Sequence, residues 1–173
     1  MRRCTRSAGF VVATTIVMGF SLGEAVPAEA QGNWSAADEA ALKGYTLTMD
    51  KVRRATQVMI EFDRLEESRP DLADDDEEIK SIDQMVSRIN AVPEAKAALT
   101  KHGVTTRDYV LTLLTSTHAG AAAFMEENGQ PVAGIPVSKA QTEFYKAHKA
   151  EIDQLNAQRK AASDSEDSED SEE

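Results

Sequence analysis

The sequence contains a single cysteine, Cys4, among its 173 residues. Cys4 precedes an apolar segment near the N-terminus and belongs to a predicted export signal, so we expect the mature chain to hold no cysteine. Without thiols that chain can form no disulfide, no thiolate nucleophile and no covalent haem attachment. Its stability therefore has to come from the packing of side chains.

Long apolar runs are also missing. The run over residues 8–22 is about fifteen residues long and is interrupted by threonine and glycine, whereas a membrane span needs about twenty apolar residues. Three arginines precede this run, and small residues ending in Ala28-Glu29-Ala30 follow it. This order predicts a secretory signal over residues 1–30 that is cleaved after Ala30. We therefore expect a secreted or periplasmic protein with no membrane span after cleavage.

Positive charge is scarce as well. The 19 lysines and arginines are outnumbered by 30 aspartates and glutamates, and the formal net charge is −11. Removal of the predicted signal, with its three arginines and the acids Glu24 and Glu29, leaves 16 basic and 28 acidic residues and a net charge of −12. Because phosphate groups repel such a chain, we expect no nucleic-acid partner.

The last eleven residues, 163–173, contain seven acids and four serines and no other residue type. A segment of this composition has no apolar surface to offset the loss of chain entropy on folding. We therefore predict a disordered acidic tail that keeps the protein soluble. Weak binding of calcium or of a basic partner is the alternative role for this tail.

Catalytic signatures are absent from the sequence. It holds no glycine-flanked serine of the hydrolase type and no glycine-rich loop that could bind phosphate. We therefore predict no enzymatic activity, no catalytic residues and no bound cofactor.

Three histidines leave one alternative open. A metal site inside a helical bundle uses ligand pairs that converge from facing helices, commonly spaced as Glu-x-x-His or His-x-x-x-His. The nearest pattern is His148 followed by Glu151, and with His118 these residues are the candidate metal ligands. A haem held between His148 and a methionine, Met49 or Met59, is a related possibility, although methionines at helical spacing are ordinary core residues.

Helical periodicity is abundant. Apolar residues recur at helical steps in four segments, which predicts main helices at about 49–68, 79–91, 105–127 and 139–160. Pro93 and Gly103 mark the start and the end of a further helix at about 93–102. A short helix near residues 36–43 precedes them. The predicted fold is therefore all-α, a single-domain irregular bundle of five or six helices over residues 31–162.

Local signals place the ends of several helices. Thr48 is a predicted N-cap, and Thr105 and Asp108 form a capping box in which Asp108 returns a bond to the Thr105 amide. Ser138 and Gln141 form a second capping box. The acids of residues 74–78 are expected in the first turn of the second main helix, where the helix dipole favours negative charge. The small residues 119–123 predict close approach of a neighbouring helix.

Two segments, YTLTMDKVRRA at residues 45–55 and GVTTRDYVLT at residues 103–112, resemble a group of small exported bacterial helical proteins. The resemblance spans most of residues 45–155 and is carried by helix starts. It implies a helical fold and a bacterial source, and no particular activity. The sequence thus predicts an exported, non-enzymatic helical binding or structural module, whose partner is an unknown envelope protein or a small apolar ligand.

Overall fold

A computed structural model describes residues 34–69 and 79–164. These two stretches contain no strand, and they form six helices: α1 Ala36–Gly44, α2 Met49–Ser68, α3 Ile82–Ala91, α4 Pro93–Lys101, α5 Thr106–Glu127 and α6 Lys139–Asp164. The predicted all-helical class is confirmed. The predicted signal over residues 1–30 lies outside the described residues, and so does the predicted tail beyond residue 164.

Helix α2 has the predicted bounds because its start is capped as the sequence indicates. The Thr48 side chain accepts a hydrogen bond from the Lys51 amide at 3.3 Å. This bond pairs one of the amides that the first helical turn leaves without a partner.

Helix α3 begins at Ile82, so the predicted start at residue 79 is wrong. The Ser81 hydroxyl accepts from the Gln84 amide at 3.1 Å, and the Gln84 side chain accepts from the Lys80 amide at 2.9 Å. The bond to Ser81 caps the first turn, and the Gln84 side chain reaches back to the residue before the cap, so the helix starts after Ser81. The acids of residues 74–78 therefore do not occupy that turn, and they lie outside the described residues.

Helix α4 ends at a glycine. Gly103 has a φ of 64°, a conformation that few residues with a side chain adopt. This geometry lets the Val104 amide donate to the Leu99 carbonyl at 3.0 Å, which is a common way to terminate a helix.

The predicted cap of α5 is confirmed in part. The Asp108 amide donates to the Thr105 hydroxyl at 3.1 Å, as expected. The expected return bond differs, because the Asp108 carboxylate accepts from the Thr105 hydroxyl at 3.0 Å and not from the Thr105 amide.

Helix α6 is longer than the predicted helix over residues 139–160. It continues to Asp164, and the Ser163 hydroxyl donates to the Arg159 carbonyl at 3.3 Å. Its predicted capping box is confirmed, since the Ser138 amide donates to the Gln141 side chain at 2.7 Å and the Gln141 amide donates to the Ser138 hydroxyl at 3.4 Å.

The described core consists of one large and one small cluster. The large cluster joins α1 to α5, and its fully buried members include Leu42, Val58, Ile82, Leu99 and Val110. The small cluster joins α6 to α2 through Met49, Val52 and Ile152, with Phe144, Tyr145 and Leu155 packed against it. Among the described residues of α6, Ile152 is the buried apolar side chain of this cluster. The apolar contact of this long helix with α2 is therefore a small one. Among the described helices, none combines the length and the apolar character that a bilayer span requires.

Candidate ligand-binding cleft

The start of α6 is tied to the end of α1 by Gln141. Its side-chain nitrogen donates to the Leu42 carbonyl at 2.7 Å and to the Tyr45 carbonyl at 2.6 Å. The last carbonyls of a helix have no partner within that helix, so Gln141 satisfies the end of α1 while its oxygen caps α6. Gln141 is 4% exposed, and these bonds are shielded from water.

The first half of α6 also packs closely on α5. A Cβ atom placed on Gly120 would lie 2.9 Å from Cζ of Tyr145, which is too short for a normal contact. The Tyr145 ring therefore occupies the space that the missing side chain leaves. The close approach predicted from the small residues 119–123 is confirmed.

The second half of α6 runs beside α2 in the same direction. Arg53 near the start of α2 contacts Glu151, and Asp63 farther along α2 contacts Arg159 farther along α6. The latter pair has two hydrogen bonds, Arg159 Nε to Asp63 Oδ2 at 2.7 Å and Arg159 Nη2 to Asp63 Oδ1 at 2.8 Å. Between these two helices and α5 lies a cleft of about 590 Å³.

The cleft has an apolar interior with polar groups set into it. The apolar lining comes from all three helices and comprises Val52, Ala55, Met59, Phe62, Tyr109, Leu113, Tyr145 and Ile152. The polar and charged lining comprises Thr56, Asp63, Glu66, Glu67, Thr112, Ser116, Thr117, Asn156, Arg159, Lys160 and Ser163. All five charged members stand on the C-terminal parts of α2 and α6, which we call the open end of the cleft.

The hydroxyl of Thr112, in the wall of the cleft, is held by a hydrogen bond with Tyr45. The Tyr45 hydroxyl lies 2.8 Å from the Thr112 hydroxyl and 3.2 Å from the Asp108 carboxylate. Burial raises the pKa of Tyr45 to about 12, so the phenol stays neutral and its proton is available for a hydrogen bond. Thr112 therefore contributes an ordered hydroxyl to the wall.

A second hydroxyl of the wall has no protein partner. The Oγ atom of Ser116 is buried and makes no hydrogen bond within the described part of the chain. By contrast, the Thr56 hydroxyl donates to the Val52 carbonyl of its own helix at 3.0 Å. Ser116 therefore adds a buried hydroxyl without a partner to the lining, which is disfavoured by about 1–3 kcal/mol.

Two of the three carboxylates at the open end, Asp63 and Glu66, differ in their pairing. Asp63 and Arg159 form a pair whose side chains are 19% and 29% exposed. Glu66 is half-buried, and none of the described lysines and arginines forms an ion pair with it. Its pKa is raised, first by burial and then by the charge of Asp63, while Arg159 acts in the opposite direction.

The candidate metal ligands on α6 contact other side chains. His148 contacts Phe144 in a tilted arrangement with ring centroids 4.6 Å apart. Glu151 accepts a hydrogen bond from Arg53 Nε at 2.7 Å. The two residues share a helix turn, but each contacts a different side chain.

His118 lies elsewhere, buried against the edge of Trp34 with ring centroids 6.4 Å apart. Burial lowers its pKa, which keeps the imidazole neutral near pH 7. The described residues contain no group of three or more histidine, cysteine, aspartate and glutamate side chains placed to hold a metal ion. Of the residues considered for haem, Met59 lines the cleft and His148 does not.

The groups at the open end were missed by the sequence reasoning. Asp63 and Arg159 are 96 residues apart, and no local pattern links them. Glu66 left a detectable signal, because it stands in the last turn of α2, which contains no base. Negative charge is unfavourable at that end of a helix, and an unfavourable charge is one indicator of a functional position.

The fold and the cleft together define an all-helical bundle with a ligand-sized cleft between three of its helices. Comparisons of the chain with models of known protein families, with curated proteins and with solved structures give no match.

Proposed function

We propose that the protein is an exported, non-enzymatic helical module that binds a small amphipathic ligand in the cleft between α2, α5 and α6. The observation that carries this proposal is the cleft of about 590 Å³, with its apolar interior and few polar groups. Sites for small molecules have volumes of roughly 300–1,000 Å³ and are mostly apolar with a few placed polar groups. The polar residues set into this lining include Thr112 and Ser116.

The shape of the cleft favours a small ligand over an envelope protein as the partner. Tyr145 packs against Gly120 where the first half of α6 meets α5, and the bonds from Gln141 hold the start of α6 in place. A partner helix would need a longer groove for its row of apolar anchors. The charged groups of the open end serve recognition in this proposal and take part in no reaction.

A cleft-filling substitution tests ligand binding. Ser116→Leu adds apolar bulk to the lining, and Ser87→Leu makes the same change at an exposed position on α3. We expect the neutral dye Nile red to fluoresce on binding the wild type and Ser87→Leu, with about tenfold weaker binding to Ser116→Leu, a loss of about 1.4 kcal/mol. Thermal melts establish that both variants fold. Equal dye affinity in all three proteins, or no binding by the wild type, would contradict the proposal.

Export is the second part of the proposal, and the basic, apolar and small-residue order of residues 1–30 supports it. The intact mass of protein recovered from the periplasmic fraction or the medium tests it. We expect a chain that begins at Gln31. Recovery of protein that still contains residues 1–30 would contradict export by a cleaved signal.

A further inference from the structure

We infer that the ligand of the cleft carries a positive charge and that the carboxylate of Glu66 binds it. This inference rests on the proposed function and specifies its ligand class, an amphipathic cation such as an amine with an apolar body. The apolar body would lie against the interior of the cleft, and the cationic group would lie at the open end.

The geometry of the open end leaves Glu66 as the acceptor. Asp63, three residues earlier on α2, already accepts two hydrogen bonds from Arg159. Arg159 is thereby committed to Asp63 and acts on Glu66 only through its charge. Glu66 is half-buried and lines the cleft, so its carboxylate faces a ligand without an ion-pair partner from the described lysines and arginines.

Three features of the fold disfavour the charge of Glu66. Its carboxylate is partly withdrawn from water, and Asp63 places a second negative charge nearby. The residue also stands at the C-terminal end of α2, where no base occupies the last turn and the helix dipole repels anions. A cation beside Glu66 would offset all three effects, whereas an anion would strengthen two of them.

The arrangement of the lining agrees with this assignment. The paired Asp63 and Arg159 lie with Glu66 at the open end. Toward the interior, Met59, Phe62 and Ile152 provide apolar contacts beyond the carboxylate. A molecule with a cationic head and an apolar chain or ring fits a cleft with a carboxylate at its open end and an apolar interior.

Three probes with the same apolar chain test the charge preference: decylamine, decanol and decanoate. Their dissociation constants are measured by NMR titration at neutral pH and low salt, with the wild type, Glu66→Gln and Glu61→Gln. Glu61 lies on the same helix, bonds Lys101 at 2.7 Å and does not line the cleft, so it provides a matched control. Thermal melts of both variants establish folding, which the removal of an unfavourable charge at Glu66 should not impair.

We expect the wild type to bind decylamine about tenfold more tightly than decanol, the effect of one charge-assisted bond of about 1.4 kcal/mol. Glu66→Gln should bind decylamine no better than decanol, Glu61→Gln should behave as the wild type, and added salt should reduce the preference. Equal affinity for decylamine and decanol would overturn the inference and leave the proposed function standing. A preference for decanoate, or a decylamine preference that persists in Glu66→Gln, would likewise overturn it. Failure of all three probes to bind would overturn the inference and count against the proposed function as well.

Discussion

The two halves of α6 meet the rest of the bundle in different ways. In the first half, Gln141 bonds the end of α1 and Tyr145 fills the space above Gly120. In the second half, Ile152 makes a small apolar contact and the Arg159–Asp63 pair bridges to α2 across the cleft. The first half is thus built for close packing, whereas the second half retains space and charge.

This difference indicates how one helix can serve both stability and binding. Close contacts at the first half fix the direction of α6, so the second half can stand away from α5 without a large loss of order. Binding sites commonly retain groups that reduce the stability of the fold. Variants that disturb the contacts of the first half should therefore destabilise the protein most, and loss of the Arg159 pair at the second half should destabilise it less. Removal of the Glu66 charge, on α2 beside the cleft, should stabilise it.

The largest expected effect comes from Gly120→Leu at the first half. The new side chain would meet the Tyr145 ring, and the overpacking should lower the free energy of unfolding by about 3 kcal/mol. Gly44→Leu is the matched control, because a Cβ at Gly44 meets nothing within 4 Å. Urea denaturation measures both variants. Equal stability of the two would show that α6 does not pack closely on α5.

The next effect is expected for Gln141→Ala. The substitution leaves the carbonyls of Leu42 and Tyr45 without their side-chain donor and should lower the free energy of unfolding by about 2 kcal/mol. Gln84→Ala removes a glutamine that accepts one bond from the Lys80 amide at 2.9 Å just before the start of α3, and should lower the free energy of unfolding by about 0.5–1 kcal/mol. Denaturant midpoints that rank the two variants in the reverse order would contradict the role assigned to Gln141.

A smaller effect is expected for Arg159→Gln at the second half. The change removes both bonds to the partly buried Asp63 carboxylate and should lower the free energy of unfolding by about 1–2 kcal/mol. Arg107→Gln is the control, because Arg107 pairs with Asp83 at 2.5 Å in a setting where their side chains are 52% and 80% exposed. An exposed pair contributes about 0.2–1 kcal/mol. If the two variants lose equal free energy of unfolding in chemical denaturation, partial burial does not strengthen the Arg159–Asp63 pair.

The smallest expected effect has the opposite sign and depends on pH. Because the folded protein raises the pKa of Glu66, the ionised carboxylate disfavours folding near pH 7, and this penalty disappears as the pH falls below the ordinary range of glutamate. Glu66→Gln should therefore raise the melting temperature at pH 7 by about 2 °C, and the gain should vanish in acid.

Glu61→Gln provides the opposite control on the same helix. The hydrogen bond from Lys101 lowers the pKa of Glu61, so its ionised form favours folding near pH 7 and this contribution is lost in acid. The variant should melt below the wild type at pH 7 and approach it as the pH falls. If both variants shift the melting temperature at pH 7 in the same direction, the fold does not treat the charges of Glu66 and Glu61 in opposite ways.

The sequence predicted the helices well wherever a local signal marked their ends. Thr48 fixed the start of α2, and Ser138 with Gln141 fixed the start of α6. The predicted start of α3 is too early because Ile79 continues the apolar period of the helix by one step, while Ser81 supplies the actual cap. Local side-chain bonds determine helix ends, so short patterns are sufficient to predict most of them.

The cleft could not be predicted in the same way. It depends on the direction in which α6 lies beside α2, and the pair that reports this direction, Asp63 with Arg159, joins residues far apart in the chain. Periodicity predicts the apolar faces of α2 and α6, but it does not predict the cleft between the two helices. The candidate ligands His148 and Glu151 shared a helix turn as predicted, yet their observed contacts are with Phe144 and Arg53.

The most direct test of binding in the cleft uses the methionine methyl groups as reporters. Met59 lines the cleft, whereas Met85 on α3 and Met125 on α5 do not. With methyl-labelled methionine in the wild-type protein, decylamine should shift the Met59 resonance and give intermolecular NOEs to its methyl group, while Met85 and Met125 remain unchanged. An unchanged Met59 resonance at saturating decylamine, or NOEs to Met85 or Met125 in its place, would contradict the account.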